Sequence, residues 1–154
     1  MSTFVDNNGG VVISINPKVL RHVSTGFAAE KLMHEVVHAL TTEGLREDSP
    51  IFDRKLNRIT EKLFNLYNKQ FPSERFSRND YTNGYNGLQD KYEFVAEFLT
   101  NQSFRQLLFD KAKQLDKNNN KQSVLQSLKS FIQNIINFLS NKTSNTENLE
   151  KYQL

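Results

Sequence analysis

From residue 25 onward the apolar positions recur every three or four residues, the spacing of one helix face, whereas the first 24 residues carry the only strand-like runs. Thr3-Phe4-Val5 and Val11-Val12-Ile13-Ser14-Ile15 flank the cluster Asp6-Asn7-Asn8-Gly9-Gly10. An Asn/Gly cluster between β-branched runs predicts a hairpin. Asn16-Pro17 ends its second strand, and residues 18–24 read as an irregular connection or a short helical turn.

The first long helix is expected over Thr25–Thr42, with Ala28, Ala29, Leu32, Met33, Val36 and Leu40 as its apolar face and Gly44 as its stop. Ser49-Pro50 reads as the cap and first position of a second helix reaching Gln70, before Pro72. Residues 72–87 form a polar loop, long for so small a chain, and such loops are usually functional or disordered. A third helix is expected over Leu88–Asn101, a fourth from a Ser103 cap to Leu115, and a fifth over Ser123–Ser140 after the linker Asp116–Lys121. The pattern therefore predicts a mainly α (α+β) domain over residues 1–141, with one hairpin, about five helices and a flexible tail at 142–154.

Composition narrows the chemistry. A chain of 154 residues with 37% hydrophobic types has the size of one domain with a modest core. Twenty basic and seventeen acidic residues give a net charge of +3, and no Lys/Arg block marks a nucleic-acid groove. The absence of cysteine excludes disulfide scaffolds, Cys-rich zinc fingers and thiol catalysis, so a metal site has only His and carboxylates to draw on. No apolar run approaches a membrane span and no basic-then-apolar signal pattern opens the chain. The expectation is a soluble protein without a signal peptide, cytoplasmic or virion-associated, with non-classical secretion left open.

Two of the three histidines carry the strongest signal. His34-Glu35-Val36-Val37-His38 is an H-E-x-x-H motif in the middle of the first helix. From this chain's own His and Glu frequencies it should arise by chance only about 0.004 times. Residues four apart share a helix face, so both imidazoles can bind one Zn²⁺ at about 2.0–2.1 Å. Glu35 projects beside them, where a general base can take a proton from water. The apolar positions fall on the opposite face, as expected if the histidines line a cleft.

A zinc peptidase needs a third protein ligand and an open position. The metzincin extension is absent, because Thr41 stands at its glycine and Gly44 at its last ligand. His22 lies upstream on an irregular segment. A carboxylate remains, and Tyr92-Glu93-Phe94-Val95-Ala96-Glu97-Phe98 offers two on one helical face, costly to bury there unless paired or metal-bound.

HEVVHAL followed by YEFVAEF resembles the glutamate zincins. Within them it resembles the type found in the anthrax lethal factor catalytic domain and in metallopeptidase-like domains of large phage polyvalent proteins. The resemblance covers residues 11–40 and 88–139. It implies that Glu93 is the third zinc ligand and that Glu97 supports a histidine ligand from behind. It also implies a tyrosine shortly before the ligand Glu that steadies the oxyanion. Tyr85, between Gly84 and Gly87, is the first choice, and Tyr81 the other candidate. The chain departs from the pattern in having room for one hairpin where zincins have a several-stranded sheet and a backing helix. It is either pared down or one piece of a larger protein or complex.

The motifs and the resemblance together lead to the expectation of a zinc metalloendopeptidase with one Zn²⁺ per chain, held by His34, His38 and Glu93, with Glu35 as general base. Its partner would be a protein or peptide substrate, with neither nucleic acid nor membrane involved. The alternative is a catalytically inactive zincin-like binding module of a larger phage or toxin assembly. The intact Glu35 argues against that alternative, since a structural metal site has no use for a general base.

Overall fold

The computed structural model describes residues 2–5, 11–21, 24–46, 53–75, 84–118 and 123–150. In chain order these form strands β1 (Ser2–Val5) and β2 (Val11–Ser14). Helices α1 (Pro17–Leu20), α2 (Thr25–Leu45), α3 (Arg54–Gln70), α4 (Lys91–Thr100), α5 (Gln102–Asn118) and α6 (Val124–Glu150) follow. The protein is mainly helical, with a hairpin and five substantial helices, as the pattern predicts. β1 and β2 pair antiparallel, Ser2 opposite Ser14 and Val5 opposite Val11, and the hairpin lies against α2.

Helix ends follow side-chain caps that the apolar spacing does not reveal. Asp53 caps α3, accepting from the N–H groups of Lys55 and Leu56 at 2.9 Å each. A carboxylate there satisfies orphan donors and complements the helix dipole. The helix therefore starts at Arg54 rather than at a Ser49 cap; Ser49 and Pro50 lie outside the described residues. Asn101, not Ser103, caps α5, through Phe104 N–H to Asn101 Oδ1 at 3.0 Å. α5 runs on to Asn118, so Asp116 lies within it, where its carboxylate accepts the Ser123 hydroxyl and the Val124 and Leu125 N–H groups that open α6. α6 continues past Ser140 to Glu150, because residues 141–150 contain neither Gly nor Pro to stop it.

Gly44 is not the stop of α2, which reaches Leu45. A Cβ on Gly44 would strike the Phe138 ring, so the missing side chain is what lets α2 approach α6. Short 3₁₀ turns at Pro72–Glu74 and Asn86–Leu88 bracket the expected loop, and an isolated bridge joins Arg75 to Tyr85.

The core is built around α4. Phe94, Val95, Ala96 and Phe98 are buried on it, and the Phe94 ring meets Phe64, Tyr67, Phe104 and Phe131 at centroid distances of 5.7–6.5 Å. Each buried phenyl contributes about 2–3 kcal/mol of apolar transfer. The Tyr67 hydroxyl donates to Leu108 O at 2.7 Å, which permits its burial.

The orientation of α2 reverses the sequence expectation. Its inward face carries His34, Glu35, Thr41, Gly44 and Leu45, while Leu32, Met33 and Leu40 of the apolar stripe are exposed, Met33 at 57%. The helix is turned by its polar ties to α4 and its close fit on α6. Those contacts satisfy groups that are expensive to bury alone, and the apolar stripe lacks an equivalent partner among the described residues.

Candidate metal centre

α2 and α4 pack against each other, and the site lies between them. On α2 the i, i+4 spacing puts His34 and His38 on one face, with ring centroids 4.7 Å apart. On α4, Asp90 caps the helix by accepting from Tyr92 N–H and Glu93 N–H at 2.9 Å each. Asp90-Lys91-Tyr92-Glu93 has capping-box spacing, in which the third residue would reach back to the cap. Here the Glu93 carboxylate lies on the two histidines. Lys91 secures the same turn to α3 through Asn57 Oδ1 at 2.8 Å and Glu61 Oε1 at 3.1 Å.

Three donor atoms converge. His34 Nε2 stands 3.1 Å from Glu93 Oε2 and 3.1 Å from His38 Nε2, and His38 Nε2 is 3.3 Å from Glu93 Oε1. Ligands at about 2.0–2.1 Å from a tetrahedral ion stand roughly 3.3 Å from one another. The separations therefore fit, and the group His34, His38 and Glu93 could hold a metal ion. Two imidazoles and one carboxylate form a borderline donor set suited to Zn²⁺, with one coordination position left over.

The three groups also act on one another's protonation. Burial alone would raise the Glu93 carboxyl, but the hydrogen bonds and charges of His34 and His38 outweigh it and hold it at about 2. For His38, burial lowers the imidazole. The hydrogen bond to Glu93 and the charges of Glu93, Glu35 and Asp90 overcome that and raise it above its ordinary value. Glu35 is buried beside His34, close enough to His38 for its charge to act there, yet it is not one of the three converging donors.

The structure does not join Tyr85 to this group. Its ring packs on Phe104 at 5.3 Å and its N–H donates to Glu74 O at 2.8 Å, so its described contacts are packing and backbone ones. Tyr81 and His22 lie outside the described residues. Glu97 also differs from its expected place. It is 6% exposed, accepts the Gly87 N–H rather than a histidine ring, and leaves Oε2 without a partner among the described residues. Burial raises its carboxyl, against the opposing charges of His34 and Lys31. Phe104 and Glu97 both crowd Gly87, whose missing Cβ makes room for this arrangement.

The atom that meets His34 Nδ1 is Thr100 Oγ1, at 3.4 Å. Thr100 carries no signal in the sequence, because a threonine at a helix end belongs to no motif. Asp90 does carry one, as the first residue of a D-x-x-E cap. Beside His34, an apolar recess of about 370 Å³ is lined by Ala29, Glu30, Met33, Val37, Leu99 and Thr100.

Among the described residues no helix is long and apolar enough to cross a membrane. No family model, no curated protein and no solved structure matches the chain.

Proposed function

We propose that the protein is a zinc-dependent peptidase whose metal is held by His34, His38 and Glu93. The observation that carries this reading is the convergence of those three donors, with a buried Glu35 next to the first of them. When bound, zinc supplies a Lewis acid that polarises a carbonyl and acidifies water. Glu35 accepts a proton from the attacking water and passes it to the leaving amide nitrogen, so one water is consumed per bond cut. Glu93 keeps its negative charge at every physiological pH, which suits a ligand. The recess beside His34 suits an apolar side chain of a peptide substrate.

The exposed stripe Leu32, Met33 and Leu40 favours a second reading, in which the domain is an inactive module seated in a larger assembly. Zinc content and cleavage of a diverse peptide library, measured with and without a chelator, test the two together. The peptidase reading requires chelator-sensitive cleavage; zinc binding with no cleavage of any library member favours the module.

A further inference from the structure

Thr100 closes α4 two turns beyond Glu93. Its hydroxyl proton is committed, because Oγ1 donates to Ala96 O at 2.7 Å. A threonine hydroxyl has one proton, so toward His34 the same oxygen can only accept. In the Thr100 Oγ1–His34 Nδ1 contact, at 3.4 Å, the ring nitrogen is therefore the donor. A neutral imidazole with its hydrogen on Nδ1 keeps its lone pair on Nε2. His34 Nε2 is the atom that meets Glu93 Oε2 and His38 Nε2.

We propose that Thr100 is the positioning residue of the metal centre: it accepts the His34 Nδ1–H and so holds the ring with Nε2 ready for a divalent cation. Glu97 makes no hydrogen bond to the His34 ring among the described residues: its carboxylate takes the Gly87 N–H, and Oε2 has no partner. Among the described residues Thr100 is the hydrogen-bond partner of His34 Nδ1. Partners behind a metal-binding histidine fix its tautomer and ring angle, and their loss typically costs about 10- to 100-fold in metal affinity. A neutral hydroxyl at 3.4 Å belongs at the lower end of that range.

This inference rests on the reading of His34, His38 and Glu93 as ligands, and the test separates the two. Zinc affinity is measured by competition with a chromophoric chelator for wild type, Thr100→Val and Thr100→Ser. Valine keeps the shape without the acceptor, and serine keeps the oxygen. Thr100→Val should bind zinc about tenfold more weakly, with Thr100→Ser close to wild type. In ¹⁵N–¹H spectra of the zinc-loaded proteins, the His34 Nδ1–H should be protected from exchange in wild type and Thr100→Ser, and exchange rapidly in Thr100→Val. Should Thr100→Val not fold, Thr100→Ala against Thr100→Ser makes the same comparison, as the pair differs only in the hydroxyl. Acceptor-free variants with wild-type affinity and an unchanged Nδ1–H signal overturn the role of Thr100. A wild-type protein that takes up no zinc overturns the ligand reading itself, before any variant is compared.

Discussion

Glu93 Oε2 lies 3.1 Å from His34 Nε2, joining the first turn of α4 to the middle of α2 across 59 positions of sequence. Without a cation the two acceptors, with His38, are held together by shared protons. A metal ion replaces those protons, so binding and acidification compete. Glu93→Gln removes the carboxylate charge while keeping a similar shape. The variant should lose stoichiometric zinc in elemental analysis after gel filtration, and His34→Ala should do the same. Full retention by either one would remove that residue from the ligand set.

The same cluster sets a pH window for the metal-free protein. Glu93 titrates near 2 when folded against 4.5 ordinarily, so its contribution to stability is present above pH 4.5 and is lost as pH falls toward 2. His38 is raised above 6.5, so its contribution is present below pH 6.5 and is lost as pH rises through its folded value. The two overlap between pH 4.5 and 6.5. Urea midpoints of the metal-free chain should show this contribution there, and Glu93→Gln should reduce it at both ends. Zinc affinity has the opposite trend at the acid side: it should fall as pH drops and the raised His38 imidazole takes the proton that a metal must displace.

Glu97 separates packing from metal chemistry. Its folded carboxyl is raised, so it costs the fold stability as pH climbs from 4.5 through its folded value. Glu97→Gln keeps an acceptor for Gly87 N–H and removes the buried charge. The slope of stability against pH should flatten above pH 4.5, while zinc affinity stays near wild type. A loss of about tenfold or more in affinity would restore to Glu97 the histidine-supporting place that the sequence resemblance implies.

Much of this architecture can be read from the residues because it depends on local spacing. The hairpin follows from an Asn/Gly cluster between β-branched runs, and the helices from three-to-four periodicity. The convergence of His34, His38 and Glu93 follows because H-E-x-x-H and E-x-x-A-E each put their groups on one helical face. The hidden part depends on tertiary context. Periodicity shows that α2 has two faces, but not that the polar one turns inward. That choice is made by Glu93 on α4 and by Phe138 on α6, far away in sequence. Gly44 resembles a stop because a glycine shortly after the last periodic apolar position usually is one; its reason is a phenyl ring some ninety positions on. Thr100 stands where Glu97 is expected, as the partner of a histidine, because backbone N–H donors, such as that of Gly87, leave no trace in a motif.

Gly44→Ala discriminates between the two accounts of that glycine. Alanine is favoured over glycine inside a helix by about 0.8–1 kcal/mol, so a merely helical position would be stabilised. Here the added methyl meets the Phe138 ring. Overpacking of this kind costs typically about 1–3 kcal/mol, and the net effect should be destabilising. Pairing it with Phe138→Leu should recover part of the loss, a non-additivity readable in a denaturation double-mutant cycle.

Tyr85 is where sequence resemblance and packing make opposite forecasts. An oxyanion donor lost to Tyr85→Phe would lower turnover by about 10²- to 10³-fold, as loss of such donors does elsewhere. In the structure the ring of Tyr85 packs on Phe104, against the core beneath Gly87, and its backbone bridges to Arg75. Phenylalanine preserves the ring, so Tyr85→Phe should keep zinc content, fold and most of the turnover on whatever library peptide the wild type cleaves. Tyr85→Ala should behave differently. It removes a half-buried aromatic from the edge of the core, and should lower the unfolding midpoint while leaving zinc stoichiometry intact in the folded fraction. Glu35→Gln is the matching control at the other extreme. It should retain zinc and fold and lose about 10²- to 10⁴-fold in cleavage, since it deletes the proton acceptor alone. A Tyr85→Phe protein as impaired as Glu35→Gln would bring the phenol back into the chemistry, and would require the segment around Gly84 to reposition it when substrate binds.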